Sequence, residues 1–447
     1  MEKAKKRVLR IESLLNKSFL CGFCKKKHFI PTRKMILQKG AIGLLPDFLS
    51  SLIKGKEVLV LSDDITYHVA GHKCVEVLKD KWKTSSLVLF PKNEKKVVYA
   101  NEGYFSEIEK GLKGKDILIT VGSGSLTDMG KYLADRQKIP WVSFPTAPSM
   151  NAYTSGVAAF LSKGVKVTLP AQPAIGVITD LEVISNAPLP LIKAGFADSL
   201  ARSFANADWK ISSLITGEGF CPLPYILTSQ AEERYLNKAR KIINREEKPI
   251  RFLMEGLNVG GFSMVIAGTS SPASGGEHLI SHFLDMIAHQ KTGKPFSYHG
   301  LQVGLATLIS ATIYERLKNL TPQEVNVAIN KRKISYSTIL GFYQKNGLEI
   351  EEEFWRKIAN LKRLRQVLPS LWDKIKREAF SLALPSKRIN KVLKDAECPI
   401  SFKEIGVNRN LARQAILYSR YLRRRITILD IADELGFLEE IAEEFCL

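Results

Sequence analysis

The stretch Asp116-Ile-Leu-Ile-Thr-Val-Gly-Ser-Gly-Ser-Leu-Thr-Asp-Met-Gly-Lys-Tyr-Leu-Ala-Asp135 decides the fold class. Its apolar first half reads as a short strand buried on both faces, which a parallel sheet covered by helices requires. The turn Gly122-Ser-Gly-Ser125 comes next, and Leu126 to Asp135 has helical spacing. The same alternation recurs in both directions. Upstream lie the strand EVLVLSDD (residues 57–64), a helix over Thr66 to Lys79, the strand SSLVLF (85–90) and a helix over Phe105 to Leu112; downstream lies the strand WVSFPTAPS (141–149). Strands alternating with helices predict a doubly wound α/β domain. Such sheets bind ligands at the carboxyl ends of their strands.

The turn Gly122, Ser123, Gly124, Ser125 lies at such an end. Glycines let a backbone approach a phosphate, and the following helix N-terminus points N–H groups at it. A plain tight turn fits the same residues, and the spaced GxGxxG pattern of an ordinary Rossmann dehydrogenase is missing. Asp63, ending the strand at 57–64, suits a ribose or adenine contact, or simply a solvated strand end. A second turn, Pro145 to Gly156, is rich in small hydroxyl and amide residues that bind a cofactor or a sugar-like ligand, or satisfy one another.

Beyond Ser185 the apolar spacing becomes helical, with helices expected at Leu191–Lys210, Glu277–His289, His299–Leu317, Glu351–Leu361 and Pro369–Ala383 among others, and Leu-Pro-Ser acting as a break. The chain is therefore divided at this stage into an α/β domain over residues 1–185 and an all-helical domain over 186–447. Its length of 447 residues agrees with more than one core.

Composition narrows the function classes. At 45% hydrophobic and 25% charged the chain is ordinary globular material. Lys and Arg number 66 against 45 Asp and Glu, a net +21 that favours anionic partners. The basic residues are scattered and no aromatic-interleaved module accompanies them, so no nucleic-acid partner is expected. Six irregularly spaced cysteines make no disulfide framework. With no signal peptide and no uninterrupted apolar run of spanning length, a soluble cytoplasmic protein is expected. Residues 1–20 read as a basic amphipathic helix. Cys21, Cys24 and His28 follow it, but a closed zinc site needs a fourth ligand and none follows at finger spacing.

Four of the seven histidines, His278, His282, His289 and His299, fall within Ser274 to Gly300. His278 and His282 share a helical face one turn apart and can address one point. Imidazole is a common metal ligand, and a catalytic site adds further protein ligands and an open position; a half-exposed histidine cluster satisfied by carbonyls is the plainer alternative.

Taken together, VGSGSLTDMGKY, FPTAPSMNAYTSG, AGFADSLA, ASGGEHLISHFLD and SYHGLQVG stand in the order and spacing of the glycerol-1-phosphate dehydrogenases. The resemblance covers roughly residues 20–440, and ITILDIADELGFL is similar to the bacterial branch. It places the chain in the superfamily of glycerol dehydrogenase, iron-containing alcohol dehydrogenases and dehydroquinate synthase. It implies a Rossmann-like dinucleotide-binding domain, a helical metal-binding domain and an active site in the cleft between them. It also implies one divalent metal (zinc, nickel or iron) on Asp198, His278 and His299, and NAD(H) or NADP(H) as cofactor.

Residue by residue, Gly122, Ser123, Gly124, Ser125, Leu126 and Asp128 match the pyrophosphate loop, and Thr146, Ser149, Ser155 and Val157 the nicotinamide half. His282 matches the position that touches substrate. The implied reaction is reduction of dihydroxyacetone phosphate to sn-glycerol 1-phosphate, a step toward phospholipid, with a homo-oligomer expected. The chain departs at Ser123, a glycine in much of the superfamily, and at Asn151, where many relatives carry an aspartate that binds the substrate hydroxyls. The alternatives are a glycerol-type polyol or alcohol dehydrogenase, and a non-catalytic member binding nucleotide or an anionic surface.

Overall fold

The computed structural model describes residues 11–92, 97–163, 165–292, 294–331 and 335–446. Its strands are β1 (Ser18–Leu20), β2 (Lys27–Phe29), β3 (Lys34–Gln38), β4 (Glu57–Asp63), β5 (Lys83–Leu89), β6 (Ile117–Gly122), β7 (Trp141–Pro145), β8 (Val157–Ser162), β9 (Val165–Pro170) and β10 (Gly176–Asp180). Six of them form one sheet in the order β3-β10-β7-β6-β4-β5, with every neighbouring pair parallel. Its side chains alternate between two cores. Val58, Val60, Ile117, Ile119 and Val121 pack with Phe48, Leu49 and Trp82, whereas Leu59, Leu61 and Leu118 pack with Ile108, Met129 and Leu133. Each such fully buried side chain contributes roughly 1.5–3 kcal/mol. Burial on both faces is why these strands read as continuous apolar runs.

From β4 the chain steps to β5 on one side, then crosses back to β6 and continues to β7 and β10 on the other. This reversal between β4 and β6 is a topological switch point, where doubly wound sheets leave a crevice. Asp63 and Gly122, the last residues of these two strands, flank it.

The chain divides into two compact units. One runs to Phe196 and resumes over Pro222–Ser270; the other comprises Ala197–Cys221 and Ser271–Leu447. The composition-based division at 185/186 follows a different line, because the helix Leu189–Ser199 and the long helix Glu247–Ala267 are helical in pattern yet start within the sheet-bearing unit. Among its described residues the second unit is built of helices.

Several expectations are corrected. Of the expected helix over 1–20, residues 1–10 lie outside the described residues, and the rest is a 3₁₀ turn, Ile11–Leu14, and strand β1. Asn16 between them takes a left-handed φ of 52° that no helix continues through. The helix expected over Leu191–Lys210 is two, Leu189–Ser199 and Arg202–Thr216, separated where Leu200 and Ala201 close i→i+3 bonds onto Ala197 and Asp198. The helices ending at Leu361 and starting at Pro369 are one, Glu351–Glu378, with Pro369 inside it. Leu361, Leu364, Leu368, Trp372 and Ile375 form one buried stripe that outweighs the lost hydrogen bond.

The helix Glu247–Ala267 is long and apolar enough to cross a membrane by length and composition, though Arg251 and Glu255 interrupt it. In the structure it is mostly buried, against the helix Leu223–Tyr235 and the turn Ala152–Thr154.

Candidate metal and nucleotide sites

In the first unit, Ser123 is the extended N-cap of the helix Gly124–Arg136, and no side chain caps its first turn. The backbone N–H groups of a helix's first turn, when no side chain caps them, suit an anion. Asp63 accepts from the Thr66 backbone N–H at 2.7 Å, capping its own helix and holding the strand end in place. Thr146 donates its backbone N–H to the Gly122 carbonyl at 3.2 Å, tying the second turn to the first.

The second turn is built against its surroundings with little slack. Ser149 Oγ lies 3.1 Å from the Tyr153 hydroxyl, which donates to the Ala147 carbonyl at 2.5 Å. A Cβ at Gly195 would sit 1.7 Å from the Pro148 carbonyl oxygen, so the first-unit part of the Leu189–Ser199 helix touches this turn backbone to backbone. Likewise a Cβ at Gly261 would lie 2.6 Å from the Asn151 carbonyl oxygen, and Thr154 Oγ1 donates to the Asn258 carbonyl at 2.7 Å. These contacts fix the half-buried Asn151.

Lys131 escaped the sequence reading. It is fully buried, and its Nζ donates to Asp128 Oδ1 (3.0 Å), Ser155 Oγ (2.7 Å) and the carbonyls of Ala152 (2.9 Å) and Val157 (2.7 Å). Burial pulls its pKa down against the opposing pull of Asp128. Asp128, Ser155 and Val157 thus hold the second turn to the first helix. The i, i+3 spacing of Asp128 and Lys131 was the available signal.

In the second unit, Asp198, His278 and His299 offer ligand atoms within 4.8 Å of one another. His278 Nε2 lies 3.5 Å and His299 Nε2 4.0 Å from Asp198 Oδ1. Each imidazole has its other nitrogen held: His278 Nδ1 is 3.0 Å from Glu277 Oε1, and His299 Nδ1 is 3.0 Å from Ser281 Oγ. Outer hydrogen bonds of this kind fix the tautomer and turn Nε2 toward a metal. Neither Glu277 nor Ser281 was singled out from sequence, although both adjoin the histidine motif.

Electrostatics favour positive charge beside Asp198. Burial pushes the Asp198 carboxyl up, but the His278 hydrogen bond and the charges of His278, His299 and Arg202 outweigh it and hold the pKa below the usual range. Burial opposes charge on His278 too, yet hydrogen bonds to Asp198 and Glu277 raise it to about 9. A carboxylate and two imidazoles suit a borderline divalent ion and leave positions open. His282 stacks on His299 with ring centroids 5.6 Å apart and lies 6.1 Å from His278. His282, Asp285 and His299 form a second donor set within 4.8 Å, but Asp285 Oδ1 already accepts from Gln302 Nε2 at 3.2 Å. The first set is the better metal centre.

Comparisons with known proteins bear on this arrangement. A family model for iron-containing alcohol dehydrogenase matches residues 36–188. The glycerol-1-phosphate dehydrogenase [NAD(P)+] of Bacillus licheniformis is 30% identical over 413 residues, covering 92% of this chain and 91% of that protein. The enzyme of the same name from Pyrococcus horikoshii is 32% identical over 287 residues, 63% of this chain and 78% of its own. The crystal structure of glycerol dehydrogenase from Schizosaccharomyces pombe aligns with a TM-score of 0.59 at 14% identity, covering 93% of this chain and 90% of that one, a likeness of fold.

Proposed function

The chain belongs to the glycerol-1-phosphate dehydrogenase family, and from that premise we propose that it reduces dihydroxyacetone phosphate to sn-glycerol 1-phosphate with NADH or NADPH. The observation that carries this is the convergence of His278 Nε2 and His299 Nε2 on Asp198 Oδ1, each imidazole oriented from behind. We assign zinc to these three residues, as the ion best matched to a carboxylate and two imidazoles. When bound, zinc supplies Lewis acidity at the substrate carbonyl and the nicotinamide supplies hydride.

The chain's own residues do the rest. Glu277 and Ser281 keep both Nε2 lone pairs turned toward the ligand position. Asp63 and the turn Gly122 to Leu126 hold the ribose and pyrophosphate at the switch point, and Thr146 and Ser149 face the nicotinamide half. Lys131 fixes the second turn through Asp128, Ser155 and Val157. His282, one helical turn from His278, would donate the proton that the carbonyl oxygen takes up as hydride adds to the carbonyl carbon, giving the new hydroxyl. Asn151 hydrogen-bonds a substrate hydroxyl; as an amide it does this without acting as a base.

The test offers dihydroxyacetone phosphate and unphosphorylated dihydroxyacetone to chelator-stripped protein reloaded with zinc, nickel or iron, following NADH and NADPH oxidation. Turnover confined to the phosphorylated ketone and dependent on metal is expected. Equal turnover of dihydroxyacetone would move the chain to the polyol dehydrogenases.

A further inference from the structure

We propose that Cys21, Cys24, His28 and Cys221 form a second, structural metal site that takes zinc. The sequence offers only the first three, and the fold supplies the fourth. β1 and β2 pair antiparallel, with Phe19 opposite His28 and Leu20 opposite Lys27, so Cys21 and Cys24 lie in their connecting turn and His28 on the returning strand. The chain leaves the first unit at Ala197 and re-enters it at Pro222, and Cys221 is the joint, two residues before the first-unit helix Leu223–Tyr235. One ligand atom from each of the four residues lies within 4.8 Å of every other. Three thiolates and one imidazole are a complete tetrahedral set for a closed zinc site, with no position left for substrate.

Three further observations point the same way. His28 turns Nε2 toward Cys24 Sγ at 3.1 Å, while its ring also hydrogen-bonds the Ile266 backbone, the arrangement that orients a metal-bound imidazole. The hairpin is small, with three residues in each strand and Leu20, Phe23 and Phe29 exposed, whereas Cys21 and Cys221 are buried. A hairpin this small is not stable by itself in water, and a metal that binds only the folded arrangement holds it closed. Lys25 and Lys26 stand in the same turn and Lys27 begins the returning strand, where their charge offsets the surplus negative charge of three thiolates on one divalent ion.

This site does not depend on the reading of Asp198, His278 and His299, and its test keeps the two apart. The intact chain, expressed with zinc, should carry thiol-held zinc that an organomercurial releases to a chromogenic indicator, one equivalent per chain. Loaded with cobalt, it should show intense near-ultraviolet sulfur-to-metal charge transfer, which the aspartate and histidine centre cannot produce. That band should disappear in Cys24→Ser and persist in His278→Ala. The mercurial titration uses the unmodified chain, so it stands even where Cys24→Ser fails to fold. No mercurial-released zinc and no charge-transfer band, or a Cys21–Cys24 disulfide with no metal, would overturn the proposal.

Discussion

His278→Ala is expected to abolish dihydroxyacetone phosphate reduction, lowering kcat/KM by at least ~10³-fold, since a Lewis-acid metal contributes several kcal/mol. Of the three proposed ligands, His278 has the most support around it: Asp198 on one side at 3.5 Å, Glu277 on the other at 3.0 Å, and almost no exposure. Removing it leaves two ligands, one of which, His299, is partly exposed. The loss should appear as one equivalent of metal missing after dialysis and as unchanged nucleotide binding, because the residues proposed for the cofactor lie elsewhere in the chain.

The same residue sets a pH dependence. Without metal, His278 is held protonated up to about pH 9, by Asp198 and Glu277 against its burial. Its raised pKa stabilises the metal-free protein fully below its ordinary 6.5, and this contribution is lost as pH rises through about 9. Metal must displace that proton, so apparent affinity should strengthen between neutral pH and about 9, with a proton released on uptake. Affinity flat across this range would mean that His278 is already neutral.

The second large effect concerns stability. Arg420 is buried, with Nη1 on Asp430 Oδ1 at 3.2 Å and Nη2 on Asp433 and the Tyr421 hydroxyl. Lys357 Nζ, also buried, reaches Asp430 Oδ2 at 2.6 Å, and Arg365 Nε reaches Glu434 Oε2 at 2.6 Å. Three acidic residues of the segment Asp430 to Glu434 are thus matched by three cations. Breaking a buried pair costs about 3–5 kcal/mol because the remaining charge has no compensation. Arg420→Ala should therefore lower the unfolding free energy of the helical unit by that amount in denaturant titration, and Arg420→Lys should recover only part, since an ammonium cannot reproduce the fork. A change below about 1 kcal/mol would mean that water reaches Asp430 and Asp433.

The parts of the fold legible in the sequence share a physical cause. β4, β6 and the helix Gly124–Arg136 are buried on clear faces, so their apolar spacing survives in the sequence. The edge strand β3 is only partly buried, and β8, with Val-Ala-Ala-Phe-Leu-Ser, has weak strand composition; neither was expected. β10, although buried, is short and was also passed over. Pro369 was read as a break because propensity favours one, and tertiary packing prevailed. At the candidate metal site Asp198, His278 and His299 stand out through motif resemblance, whereas Glu277 and Ser281 are brought to the imidazoles by geometry that spacing does not encode. Cys221 lay too far along the chain to be paired with Cys21, Cys24 and His28 by any local rule.

The measurement that bears most directly on the central claim is the handedness of the product. Zinc-loaded protein would be given dihydroxyacetone phosphate and NADH, and the glycerol phosphate formed would be offered to an enzyme that oxidises only the sn-3 isomer. Product formed in amounts equal to the NADH consumed and wholly resistant to that enzyme is the predicted result. Product oxidised by it, or NADH consumed without any glycerol phosphate appearing, would contradict the account.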